Sequence, residues 1–188
     1  MTILFRLHDW LCEMLIRQSK RIKWTLLGVA YLSLLGLLFP TLNRGLAQLA
    51  LAMLLFLLFL SPASRLFRTR ALILLMGYRR ELGILMGYWA TVHALNYVIH
   101  PDWTAALMAM PGTGFGSTNA KIMTGVAAYA LTLPLLVTSN AWSQRLLKRN
   151  WKRLHWLAYP LLFMALFHQF VFRWGSIDHS LGAWTVAQ

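Results

Sequence analysis

Of the six histidines in this 188-residue sequence, two, His93 and His168, lie deep inside apolar runs. His168 belongs to residues 145–174, which open with Arg145, Lys148, Arg149, Lys152 and Arg153. They then stay apolar to Phe172, interrupted only by His155, Tyr159, His168 and Gln169. His93 lies in Tyr88-Trp89-Ala90-Thr91-Val92-His93-Ala94-Leu95-Asn96-Tyr97. An imidazole placed in hydrocarbon is costly unless its nitrogens find partners, which makes each of these a functional candidate. The chemistry within reach is axial ligation of a haem iron by neutral imidazole. Taken singly, such a histidine serves about as often in a hydrogen bond between helices.

A haem iron takes one axial ligand from each side, so two helices must present a histidine at one level. His93 is 13 residues past Arg80, His168 is 15 past Arg153, and His155 only 2 past it. At about 1.5 Å per residue, His93 and His168 fall within about 3 Å of the same depth, and His155 lies roughly 16 Å nearer the basic side. His93 and His168 are the expected pair. From His155 to His168 an ideal helix turns by about 220°, so the two face different ways unless Pro160 re-aims the segment. Gly83, Gly87, Ala90, Ala94 and Ala165 either leave room for a macrocycle or serve close helix packing, the commoner use. His100 shares a face with His93 but has only Gly175 at matching depth, and reads as a wet interfacial residue. Arg79, Arg80, Lys152 and Arg153 are placed to hold haem propionates, a flavin phosphate or a quinone; charge bias that sets topology accounts for them equally well.

The elements that must position these residues are membrane helices. Hydrophobic residues make up 59% of the chain, too many for an ordinary soluble domain. The net charge of +13 would suggest nucleic acid in a soluble protein, but its distribution reads as topology, so membrane lipid is the expected surface and nucleic acid is not. Cys12 is the single cysteine, which excludes an internal disulfide and a cysteine-based cluster.

Residues 1–23 are expected to form an amphipathic cytoplasmic segment on the membrane surface, with Leu4, Leu7, Leu11, Met14 and Leu15 at helical steps. Residues 24–173 form the membrane domain, with five spans near 24–40, 45–60, 82–99, 121–137 and 154–172. Pro62 is expected to stop the second span and Pro134 to kink the fourth. The apolar residues 71–76 are too few to cross and belong at the interface. Residues 100–118 read as an irregular external loop, and 174–188 as a short outer tail. Lys and Arg test this layout: residues 1–23, 61–81 and 139–153 hold five each, whereas the other side has only Arg44, Lys121 and Arg173. The N-terminus is thus expected inside and the C-terminus outside, with Trp24, Trp103, Trp142, Trp151, Trp156 and Trp174 near the boundaries. The fold class is an all-α polytopic bundle of about five spans plus an interfacial helix, with haem between the third and fifth.

No Gly-rich phosphate fingerprint follows a strand, and no paired carboxylates lie within a span, which argues against a carboxylate-driven pump. Arg79-Arg80-Glu81-Leu82-Gly83, Ala90-Thr91-Val92-His93-Ala94-Leu95-Asn96-Tyr97, Leu133-Pro134-Leu135-Leu136-Val137-Thr138-Ser139 and Trp151-Lys152-Arg153-Leu154-His155 with His168 thirteen later together resemble the MsrQ (YedZ) family. That family lies within the ferric reductase-like transmembrane superfamily. The resemblance implies a b-type haem protein of the bacterial inner membrane, with FMN as a further cofactor in some members. It implies electron transfer from a cytoplasmic flavin reductase or the quinone pool to a periplasmic molybdopterin-containing sulfoxide reductase subunit. By position, His93 and His168 match the haem ligands and His155 a third histidine. A stand-alone ferric reductase-like cytochrome and a non-redox anchor subunit are the alternatives.

Overall fold

The computed structural model describes residues 2–100, 102, 105, 108 and 117–186. In chain order the helices are α1 (Thr2–Arg17), α2 (Ser19–Leu32), α3 (Asn43–Phe67), α4 (Arg70–Met76), α5 (Arg79–Ile99), α6 (Thr118–Val137), α7 (Ala141–Leu147), α8 (Arg149–His155) and α9 (Ala158–Val186). Two 3-10 turns, Ser33–Leu37 and Pro40–Leu42, join α2 to α3. Among the described residues there is no strand, as the all-α expectation requires.

Four segments are long and apolar enough to cross a bilayer: Pro40–Phe67, Arg79–Ile99, Thr118–Val137 and Arg149–Trp174. They carry the expected second to fifth spans. The expected first span, 24–40, is divided: α2 ends at Leu32 and the chain tightens into 3-10 geometry from Ser33. The Ser33 hydroxyl donates to the Ala30 carbonyl, 2.6 Å away, where the tightening begins. Together the 14-residue α2 and the 5-residue turn reach about 31 Å, but 24–40 is not among the four segments long and apolar enough to cross.

Pro62 does not stop the second span; it lies inside α3, which runs to Phe67 and ends where Arg68 turns left-handed at φ 47°. Membrane helices tolerate an interior proline when neighbours satisfy the freed carbonyl groups. Pro134 likewise lies inside α6, three residues from its end. The tail is helical, since α9 continues to Val186. The irregular loop expected at 100–118, with Trp103, falls mostly outside the described residues.

Packing closes a ring. α3 lies against α5, α5 against α6, α6 against α9 and α9 against α3, while α2 covers the outside of α5. The shared core is Ala50, Leu54 and Leu58 from α3, Met86 from α5, Leu135 from α6 and Leu161 from α9. Large apolar side chains turn outward instead, with Phe163 81%, Val98 78% and Met123 68% exposed, as suits a bundle whose solvent is lipid. Gly87 explains the tight α5–α6 approach: a Cβ there would lie 2.8 Å from Leu136 Cδ1.

At the end bearing the 61–81 loop, α1 packs on α4 and α2. Cys12 is its buried contact residue, and the Tyr78 hydroxyl donates to the Leu15 carbonyl at 2.6 Å. Glu81, only 2% exposed, sits in the first turn of α5, where the helix dipole favours a carboxylate, and accepts from Arg80 at 2.9 Å. Trp24, Trp142, Trp156 and Trp174 are exposed, as residues of an interfacial belt are.

Candidate functional site

The ring of α3, α5, α6 and α9 lines a half-open cavity of about 480 Å³, within the range of small-molecule and cofactor pockets. Its walls are held back by small side chains: Ala47 and Ala50 from α3, Ala90 and Ala94 from α5, Gly125 and Ala128 from α6, and Ala165 from α9. Ala90, Ala94 and Ala165 therefore make space, whereas Gly87 serves helix packing.

His93 of α5 and His168 of α9 both line this cavity, their ring centres 6.4 Å apart and their planes at 67°. Equal depth was expected from counting, and the expected pairing also required the shared facing seen here. Between α8 and α9 the helix tightens. Trp156 N donates to Arg153 O at 3.1 Å and Leu157 N to Leu154 O at 3.0 Å, a tightened pair of turns just before Pro160. His168 lines the cavity and His155 does not, so no re-aiming brings the two histidines of the last span to one site.

Each ring is oriented through Nδ1. His93 Nδ1 lies 3.0 Å from Asn43 Oδ1, which also accepts from Asn96 Nδ2 at 3.4 Å. An amide oxygen only accepts, so the His93 proton is on Nδ1 and the Nε2 lone pair is free. On the other side, the Thr124 hydroxyl donates to Ala120 O at 2.7 Å, so its oxygen accepts from His168 Nδ1 at 3.0 Å. Both imidazoles thus keep Nε2 available as a ligand, the arrangement that outer partners give to metal-binding histidines. Gly125 lets His168 lie flat against α6, since a Cβ there would meet the ring's Cε1 at 2.9 Å. Asn43, Asn96, Thr124 and Gly125 were not legible as site residues; the only signal was polar or small character inside or beside apolar runs.

The spacing suits one metal between the rings. Two imidazole nitrogens at about 2 Å from a shared ion, plus roughly 1 Å of ring on each side, put ring centres about 6 Å apart. Among the described residues no group of three or more His, Cys, Asp or Glu is gathered to hold a bare metal ion, so a macrocycle that supplies its own equatorial ligands fits better.

The remaining sequence candidates lie elsewhere. His155 is outside the cavity wall; its Nδ1 donates to Trp151 O at 3.0 Å and its ring lies 3.9 Å from that of Trp151. Arg79 donates to Ser61 Oγ at 2.6 Å and Arg80 pairs with Glu81, and neither these nor Arg153 lines the cavity. His100 Nε2 donates to Leu37 O at 2.7 Å, tying α5 to the 3-10 turn. Lys121 of α6, read from sequence only as a charge on the outer side, lines the cavity and is 3% exposed.

A helical ring around two facing histidines defines a class of membrane protein, and comparison of the sequence gives the family. The model for the ferric reductase like transmembrane component matches residues 44–175, and the chain belongs to that family. Curated relatives bear the name protein-methionine-sulfoxide reductase heme-binding subunit MsrQ. The one from Rhizobium meliloti strain 1021 is 38% identical over 93 residues, 50% of this chain and 42% of its own length. One from Xanthomonas oryzae pv. oryzae is 35% identical over 97 residues (50% and 42%), and one from Xanthomonas axonopodis pv. citri is 36% identical over 94 (48% and 40%). These alignments span less than half the length of the relatives. No solved structure matches the chain.

Proposed function

We propose that this protein is a membrane electron-transfer subunit that binds haem b between His93 and His168. The observation carrying this is the 6.4 Å approach of two imidazoles from different helices across a cavity, each with Nδ1 already engaged. The name of the relatives, a heme-binding subunit, supports it. When bound, haem supplies one-electron exchange between ferric and ferrous iron. The chain does the rest. Asn43 and Thr124 hold the ligand tautomers, the alanines admit the ring, and the apolar walls exclude water and so bear on the potential.

Residues 24–173 are the haem-binding unit in this reading, anchored by 1–23. Fifteen of the 18 basic residues on one side support an inner-membrane orientation with the N-terminus cytoplasmic and the C-terminus periplasmic. The donor is a cytoplasmic flavin reductase or the quinone pool, and the acceptor a periplasmic molybdopterin-containing subunit that reduces methionine sulfoxide; the printed name of the relatives supports the methionine sulfoxide link. FMN, with Arg79, Arg80, Arg153 and His155 near the cytoplasmic boundary, belongs to the same proposal as a donor-side cofactor. The family description favours one second reading, a stand-alone ferric reductase.

Pyridine haemochrome assay of purified wild type, His93→Ala, His168→Ala and His155→Ala tests the ligand assignment. Haem is expected to be lost from the first two variants, with a milder defect in the third. Full haem content in His93→Ala would refute the pair. Reduction of a ferric chelate by wild type with no periplasmic protein present would favour the second reading.

A further inference from the structure

We infer that Lys121 is the anchor for a carboxylate of the group that fills the cavity, a propionate if that group is haem; this rests on the haem reading above. Lys121 is 3% exposed and lines the same cavity as His93 and His168. Among the described residues its ammonium forms no ion pair; it lies against the Phe172 ring, 5.7 Å from Nζ to the centroid. A buried ammonium needs a partner, and attraction to one aromatic face does not replace lost hydration. Its position makes the need sharper. Lys121 sits in the first turn of α6, where the helix dipole repels a cation and attracts an anion. Among the described residues no Asp or Glu lines the cavity. The ammonium and the helix terminus therefore call for the same thing, a negative group brought in by the ligand.

The placement also orients that ligand. Lys121 lies one turn before Thr124 and Gly125, which hold and seat His168, while Phe172 lies one turn beyond His168 on α9. The anionic edge thus points toward the start of α6, away from Arg79, Arg80 and Arg153, the basic residues that sequence alone offered for this role.

Apoprotein in detergent, titrated with iron protoporphyrin IX and with its dimethyl ester, tests the inference through binding rather than activity. Wild type is expected to bind the free acid at least about tenfold more tightly than the ester, as a charge-assisted contact would give. Lys121→Met should lose this preference while retaining the bis-imidazole absorption spectrum, and Lys121→Arg should keep it. Equal binding of acid and ester by wild type, or an undiminished preference in Lys121→Met, overturns the role of Lys121 while leaving haem binding intact. Failure of wild type to bind either porphyrin overturns the haem reading itself.

Discussion

At the scale of single residues, the site is decided by what holds the imidazoles. Asn43 and Asn96 are fully buried, yet Asn43 Nδ2 and Asn96 Oδ1 have no hydrogen-bond partner among the described residues. Each such orphan costs about 1–3 kcal/mol. Asn43 Oδ1 also accepts from His93 Nδ1, and holding that tautomer is the role the haem proposal gives Asn43. Asn43→Leu is therefore expected to keep haem but shift its midpoint potential, measured by spectroelectrochemistry, because Nδ1 loses its acceptor. An unchanged potential would reduce Asn43 to packing. Gly125→Ala should weaken haem binding, since the new methyl would press on the His168 ring at 2.9 Å.

At the scale of elements, approach distance and helix ends matter most. Gly87→Ala sets a methyl against Leu136, and should destabilise the α5–α6 contact by about 1–3 kcal/mol. Thermal unfolding in detergent reads this out, and Leu136→Ala combined with it should be less damaging than the sum of the two changes, as neighbours couple. Arg68 ends α3 in the left-handed region that glycine occupies without strain. Arg68→Gly is expected to stabilise by about 1 kcal/mol, seen as a raised unfolding temperature. The helices themselves were legible from apolar length and basic flanks. The end of α3 was not, because Pro62 reads as a stop only where no neighbour satisfies the carbonyl it frees.

At the scale of the whole molecule, the ring of four helices has a hollow centre, so its ligand should contribute to its stability. Haem-depleted protein is expected to unfold at a lower temperature than the loaded form, by mass action on a ligand bound only to the folded state. An identical transition would place the ligand outside the ring. By itself the sequence determined the helical class, the apolar character of the spans, and the common depth of His93 and His168, because hydropathy, charge and rise per residue are local properties read along one axis. Only the tertiary structure decided which way each helix turns about that axis. Facing depends on contacts between helices, and it gathered Asn43, Thr124, Gly125 and Lys121 around the pair while leaving His155, Arg79, Arg80 and Arg153 away from it.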